Sequence, residues 1–340
     1  MKTRTHQVMF AAIAALCFLP GCNSSNQNNT NGADGTPSGE DTLTIAVIPK
    51  STGGEFWETV EQGAQDAAKQ HGVKIRWEGT LSETEIAEQN RIIENMVNLG
   101  VDGMAIAPLN AKATGKPIAG AVDAGIPVVV FDSSVDGDAH VSFVATDNEQ
   151  GGVLGAQKLV ELLGDEKGDV LVLRFLQGTG STEARAKGFI ETAKAAGLNV
   201  VADPYPEDGT VAGAKKTAAN TLEGLIKDDK LHVDGIFACN LYTALGMAAA
   251  LDDLRKSGIA VDAKFIGFDT SPKLIQGLQA GTIDGLVAQN PKRMGFLAVE
   301  TIVKHLRKES IEAVVDTGVE VVTKERLENE AAIRKLVGLE

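Results

Sequence analysis

Lys50, Asp132, Arg185, Asn240, Asp269 and Gln289, with the aromatic pair Phe56 and Trp57, are the residues of this sequence best suited to chemistry. Most of the polar members are planar and can make paired hydrogen bonds. Sugars and other polyols require this mixture, because each hydroxyl both donates and accepts while one ring face presents C–H groups that pack on an aromatic. Hydrogen bonds to charged partners contribute about 1.5–3 kcal/mol each, so a handful gives tight binding after ordering costs. Each residue also has an ordinary structural reading. Asp132 and Asp269 can cap the helices that follow them, and Arg185 can pair with Glu183 or Glu191 on a solvated helix face. Asn240 can be a turn residue, and Lys50 can form a surface pair with Glu55. Phe56 and Trp57 are consecutive on one helix, so at most one faces the core squarely.

The elements that must position these groups are written twice. The run GIPVVVFD at 125–132 is echoed by AKFIGFD at 263–269, and each follows a matching run, VDGMAIA at 101–107 and VDGIFAC at 233–239. A buried strand that stops at a carboxylate places that group at its carboxyl end, where open α/β sheets bind ligands. Two such ends imply two lobes facing one cleft. Around them the pattern alternates. Strands are expected at 43–48, 73–77, 103–107 and 127–131, with helices at 56–71, 82–99 and 113–124; Ser82 to Glu85 has the form of a capping box. The second half gives strands at 169–175, 200–202, 233–239 and 265–268 and helices at 183–196, 212–227 and 243–256. A tail of helix 272–280, strand 285–288, helix 293–307 and strand 316–322 is too short for a third domain and completes sheets already begun. Helices between consecutive strands force parallel pairing with right-handed crossovers. The fold class is α/β, with two doubly wound parallel-sheet lobes joined by a multi-strand hinge.

The N-terminus sets the compartment. Lys2 and Arg4 precede an apolar run at 8–19, built as a secretory signal and short for a membrane span. LPGC at 19–22 has the form of a bacterial lipobox, with Cys22 as the lipidated first residue and Pro20 an imperfect fit. Residues 23–41 are rich in Asn, Ser, Gly and Thr, the composition of a flexible tether. Losing Lys2 and Arg4 takes the formal charge from −14 to −16, which argues against nucleic acid as a partner. Cys239 is the one cysteine left in the folded part, and its apolar strand suits a small buried hydrophobe. Enzyme signals are poor. His71, His140, His232 and His305 lack metal-ligand spacing and a neighbouring nucleophile. The glycine-rich GTGS at 178–181 lacks dinucleotide or Walker spacing, and Gly115-Lys116 runs into Pro117. Asp132 and Asp269 could be read as a glycosidase pair, but a carboxylate on each lobe also describes a clamp.

From about 43 to 322 the chain resembles the periplasmic sugar-binding proteins of ABC transporters, the ribose-binding-like group of type I periplasmic binding proteins. The stretches that carry the resemblance are IAVIPKSTGGEFW at 45–57, PVVVFD at 127–132, ATDNEQGG at 145–152, STEARAKGF at 181–189, IGFD at 266–269 and VAQ at 287–289. The resemblance implies that Phe56 and Trp57 sandwich or edge a sugar ring, that Asp132 and Asp269 accept from hydroxyls on opposite lobes, and that Arg185, Asn240 and Gln289 supply the remaining polar contacts. It also places interlobe crossings near Asp147, Gln289 and Thr317. Ribose binders carry Arg where this chain has Ser133, Asn where it has Gly54, and a second-lobe aromatic where it has a polar residue near Asp208. These changes point away from ribose; Lys50 is placed to fill part of the vacancy, and Ser133 is kept among the expected ligand contacts.

The chain is therefore expected to be an exported, membrane-anchored lipoprotein with a signal peptide at 1–21 and Cys22 with its tether at 22–42. The N-terminal lobe is expected at 43–146 plus 290–317, and the C-terminal lobe at 147–289 plus 318–340. It would act as a monomer without cofactor or metal, capturing a monosaccharide or sugar alcohol and delivering it to the permease and ATPase subunits of an ABC transporter. A sensory module feeding a chemoreceptor or kinase would use the same binding residues. A sugar-responsive repressor would need a basic helix-turn-helix where the signal and tether stand.

Overall fold

The computed structural model describes residues 42–165 and 168–339. The signal segment, Cys22 and all but the last residue of the expected tether lie outside the described residues. The first half of the chain forms β1 (Thr44–Ile48), α1 (Glu55–His71), β2 (Lys74–Trp77), α2 (Ile86–Leu99), β3 (Gly103–Ile106), α3 (Ala111–Asp123), β4 (Val128–Phe131) and β5 (Ser142–Ala145). Then come α4 (Asn148–Leu163), β6 (Asp169–Leu173), α5 (Gly180–Ala195), β7 (Asn199–Ala202), α6 (Val211–Glu223), the small hairpin β8 (Ile226–Lys227) and β9 (Lys230–Leu231), β10 (Gly235–Ala238), α7 (Leu241–Lys256), β11 (Lys264–Phe268), α8 (Pro272–Ala280) and β12 (Gly285–Gln289). The chain closes with α9 (Pro291–Leu306), β13 (Val314–Asp316), β14 (Val319–Val322), α10 (Lys324–Asn329) and α11 (Ala331–Leu336).

Two six-stranded sheets result, ordered β13-β5-β4-β3-β1-β2 and β14-β12-β11-β10-β6-β7. The first is parallel throughout, and the second is parallel except for β14, which runs antiparallel to β12. Their central strands are mostly apolar and are buried except at the opening Thr44 of β1 and Lys264 of β11, as expected for sheets covered by helices on both faces. The chain passes between the lobes after β5, after β12 and between β13 and β14. The first and third passages are tied together where the Thr146 and Thr317 hydroxyls lie 3.2 Å apart.

Each lobe holds one helix pair in backbone contact through reciprocal glycines. A methyl group on Gly63 of α1 would come within 1.9 Å of the Lys292 carbonyl oxygen, and one on Gly295 of α9 within 2.0 Å of the Val60 carbonyl oxygen. In the second lobe, methyls on Gly152 of α4 and Gly188 of α5 would meet the Arg185 and Glu149 carbonyl oxygens at 2.0 and 2.2 Å. The glycines thus fix the depth at which α5 lies, and α5 carries Arg185.

Several expectations are corrected. The helix placed at 82–99 begins at Ile86, because Glu85 turns its carboxylate onto the amides of Leu81 and Ser82 and closes a turn before the helix starts. The helix placed at 212–227 ends at Glu223; after Gly224 the chain turns back through Asp228 and Asp229, both at positive φ, into the β8–β9 hairpin. The single strand placed at 316–322 is two strands in different sheets, separated at Gly318 with φ 86°. Strand β5 and helices α4, α10 and α11 add to the elements expected from the sequence. Among the described residues no helix is long and apolar enough to cross a membrane.

Gly188→Ala is expected to destabilise the fold by about 1–3 kcal/mol, because the added methyl must push α4 off α5. Gly120→Ala, on an exposed face of α3 with open space around it, is expected to stabilise by about 0.5–1 kcal/mol. Thermal unfolding of the two variants should move the midpoint in opposite directions, and a shift of the same sign in both would refute this packing role.

Candidate ligand-binding cleft

The two Phe-Asp strand ends finish in the same turn. Asp132 and Asp269 have φ of 61° and 70°, a left-handed conformation uncommon outside glycine and best tolerated by Asn and Asp. Their amides stay in the sheets, donating to the carbonyl oxygens of Val144 on β5 and Val287 on β12. Both carboxylates are buried and line one cavity between the lobes. The space enclosed within it is about 30 Å³, small beside ordinary small-molecule sites, so the lobes are closed tightly on each other.

Each lobe supplies its own cation. Lys50, just past β1, is 3% exposed and lies 2.6 Å from Asp132 Oδ2. The approach is off the hydrogen-bonding direction, so Oδ2 keeps acceptor capacity. Lys50 pairs with Asp132 and not with Glu55, and its Nζ also donates across the cleft to Ser181 Oγ at 3.1 Å. In the second lobe, Arg185 Nε donates to Asn148 Oδ1 at 2.8 Å and Nη1 to the Cys239 carbonyl oxygen at 3.1 Å. The guanidinium stands 3.8 Å above the Phe268 ring and 4.0 Å from Asp269 Oδ2. The surface pairing with Glu183 or Glu191 does not form; Glu183 binds Arg174 and Tyr205 instead.

Asp269 is held from two sides. Oδ1 accepts from Gln289 Nε2 at 2.7 Å and Oδ2 from the Leu241 amide at 2.9 Å. It does not cap α8, a role taken by Ser271. Burial pushes its carboxyl above the ordinary range, while Arg185, Gln289 and the Leu241 amide draw it back. Gln289 Oε1 is buried with no partner among the described residues, leaving an acceptor for a ligand donor. Asn240 caps α7 through a reciprocal box with Thr243 and lines the cavity, so its turn and site readings coexist. Cys239 is fully buried, and burial pushes its thiol up to about 12, which makes it inert.

The aromatic pair divides its work. Trp57 belongs to the first-lobe core, edge-on to Phe131, while Phe56 packs against the apolar clusters of both lobes. Their rings meet at 86°, so they offer an edge and a face, not two parallel plates. Trp57 Nε1 donates at 3.0 Å to Glu83, a cavity-lining carboxyl that the capping-box form of Ser82–Glu85 conceals in the sequence. Burial pushes the Glu83 pKa up, which favours its neutral form. The cavity thus holds two acid–base pairs and a third carboxyl.

Ser133 does not line the cavity. It is fully buried, and its Oγ accepts from the Ser181 amide at 2.8 Å, joining the lobes. The loop it meets is the glycine-rich 178–181 segment. Gly178 O accepts from the Ala111 amide at 3.0 Å, and Thr179 Oγ1 donates to the Leu109 carbonyl oxygen at 3.2 Å. A methyl on Gly180 would lie 2.5 Å from Ser134 Oγ and 2.7 Å from its carbonyl oxygen. The segment that could not be a phosphate loop is a clasp between closed lobes. Thr179 and Ser181 of this segment also line the cavity, as do Phe175 and Tyr242, which lie outside the residues expected from the sequence. Tyr242 follows a strand end already chosen for Asn240, so the same criterion could have found it.

Residues 45–310 match the periplasmic binding protein domain family. The chain is 30% identical over 293 residues to the D-ribose/D-allose-binding protein of Pseudomonas aeruginosa, an alignment covering 82% of this chain and 88% of that one. It is 29% identical over 265 residues to the D-allose-binding periplasmic protein of Escherichia coli K12, covering 76% and 83%. Among solved structures, a carbohydrate transporter solute-binding protein from Agrobacterium radiobacter in complex with D-arabinose superimposes with a TM-score of 0.81 at 34% identity, covering 88% of this chain and 99% of that one. A solute-binding protein from Agrobacterium vitis with bound D-fucose gives 0.80 at 33% identity, covering 86% and 99%. A matched family domain over most of the chain and relatives alike in sequence and fold lead to one conclusion: the chain belongs to the periplasmic binding protein family, whose members bind substrates and are not enzymes.

Proposed function

We propose that the protein is the substrate-binding lipoprotein of an ABC sugar importer, anchored through Cys22, which captures a monosaccharide or sugar alcohol as a monomer and delivers it to a membrane permease. The observation that carries this reading is the cavity wall. Asp132 from one lobe and Asp269 from the other face a single space, with Lys50, Arg185, Asn240, Gln289 and the aromatic edges around it. Such a wall offers donors, acceptors and C–H-packing surface to a neutral polyhydroxylated ring, and each of its two cations already has a carboxylate partner in its own lobe. The ligands named for similar proteins, D-allose, D-ribose, D-arabinose and D-fucose, are of that class.

Mechanism follows from the lobe boundaries, 43–146 plus 290–317 and 147–289 plus 318–340. A ligand favours the closed state only as far as it touches both lobes, so one carboxylate per lobe links occupancy to closure. The 178–181 clasp adds contacts made only on closure, and Ser133 contributes there instead of touching the sugar. The closed lobes then form a single surface for the permease.

Three outcomes are expected. By titration calorimetry against D-allose, D-ribose, D-arabinose and D-fucose, Asp132→Asn and Asp269→Asn should each weaken the tightest binder by about tenfold or more; affinities within about twofold of wild type would remove both residues from the site. Gly180→Ala should leave the sugar contacts intact yet hold the lobes apart, so small-angle scattering at saturating sugar should give a larger radius of gyration than wild type. An unchanged radius would dismiss the clasp. Cys22→Ser should move the protein from membrane to soluble fractions and remove a diacylglycerol mass from the N-terminus, and unchanged membrane retention would contradict the anchor.

A further inference from the structure

We infer that Tyr242 is a specificity-determining wall of the cleft, closing the cavity over a monosaccharide from the second lobe and donating a hydrogen bond to it. The inference rests on the sugar-binding reading above. Tyr242 sits in the first turn of α7, directly after the Asn240 capping box, so its backbone is tightly held. Its ring lies on that of Phe175, with centroids 5.8 Å apart and planes 12° from parallel. Phe175 is 1% exposed and supports the tyrosine from one side. Both line the cavity, and the half-buried tyrosine keeps its other face and its hydroxyl for whatever enters.

The hydroxyl has no hydrogen-bond partner among the described residues, although it reaches across the cleft. A methyl group on Gly54 of the first lobe would lie 3.3 Å from Tyr242 Oη. Gly54 has φ 96°, where a side chain would be strained, and it caps the helix that presents Phe56 two residues later. Tyr242 and Phe56 therefore bound the same region of the cavity from opposite lobes. Burial, with the nearby Glu83 and Asp269 carboxyls, pushes the phenol's pKa up, so it keeps its proton and serves as a donor.

This placement answers a vacancy left by the sequence. Where ribose binders carry a second-lobe aromatic, this chain has a polar residue near Asp208, and Asp208 is exposed and turns its carboxylate to Thr210. Tyr242 brings an aromatic to the cavity from a different element. A ligand confined between Phe56 and Tyr242 must present C–H surface on two sides and hydroxyls at its rim, which describes a compact pyranose. A ring substituent directed at Tyr242 must displace it, so the tyrosine selects on size.

The test uses D-ribose and D-allose, whose pyranose forms differ by one hydroxymethyl group, with D-arabinose and D-fucose to find the tightest binder. Affinities of wild type, Tyr242→Phe and Tyr242→Ala are measured by calorimetry, and unliganded thermal midpoints alongside. Tyr242→Ala is expected to weaken the tightest binder by about tenfold and to shift the allose-to-ribose affinity ratio by about fivefold toward allose. Tyr242→Phe, which keeps the wall and loses the donor, should fall between. If Tyr242→Ala binds all four sugars within about twofold of wild type, the inference fails while sugar binding stands. A uniform loss with an unchanged ratio and a lowered midpoint would reduce Tyr242 to a structural role. Absence of binding of any of the four to wild type would overturn the inference together with the reading beneath it.

Discussion

Everything in the cleft depends on keeping four buried charges in balance within their own lobes. Lys50 answers Asp132 in the first lobe, and Arg185 faces Asp269 in the second. An uncompensated buried charge costs several kcal/mol, and a pair split between lobes would be broken at every opening. Because each pair stays on one lobe, the open state leaves no orphaned ion. With each cation paired inside its own lobe, selectivity passes to hydrogen-bond geometry and to the aromatic walls.

The scaffold meets that constraint by repetition. Each Phe-Asp strand end uses the phenylalanine inward and the aspartate outward. Phe131 packs edge-on to Trp57, Phe268 lies under the Arg185 guanidinium, and the aspartates turn through positive φ into the cavity. Each lobe also sets one helix pair by reciprocal glycines, which fixes the height of α1 and α5 relative to the strand ends. The positions of Phe56 and Arg185 are thus consequences of glycines far from the ligand.

Much of this was legible in the sequence. Continuous apolar runs of strand length, separated by amphipathic segments, gave the alternation of strands and helices, and the doubled phrase located both carboxylates. Three kinds of feature stayed hidden. Helix α4 is rich in glycine, which lowers helix propensity, yet those glycines let it rest on Phe268, Phe237 and the Arg185 carbonyl. The Ser82–Glu85 pattern was sound chemistry in the wrong place, closing a loop and presenting Glu83 to the cavity. The division of labour between Ser133 and the 178–181 segment could not be read locally, because it exists only where two lobes separated in sequence come together.

The most direct measurement is a crystal structure of the protein grown with the tightest-binding neutral monosaccharide. The expected result is one pyranose held in the cavity, with a hydroxyl on Asp132 of the first lobe and another on Asp269 of the second. An occupant that touched only one lobe, or a charged ligand replacing either internal ion pair, would contradict the account of a charge-balanced clamp.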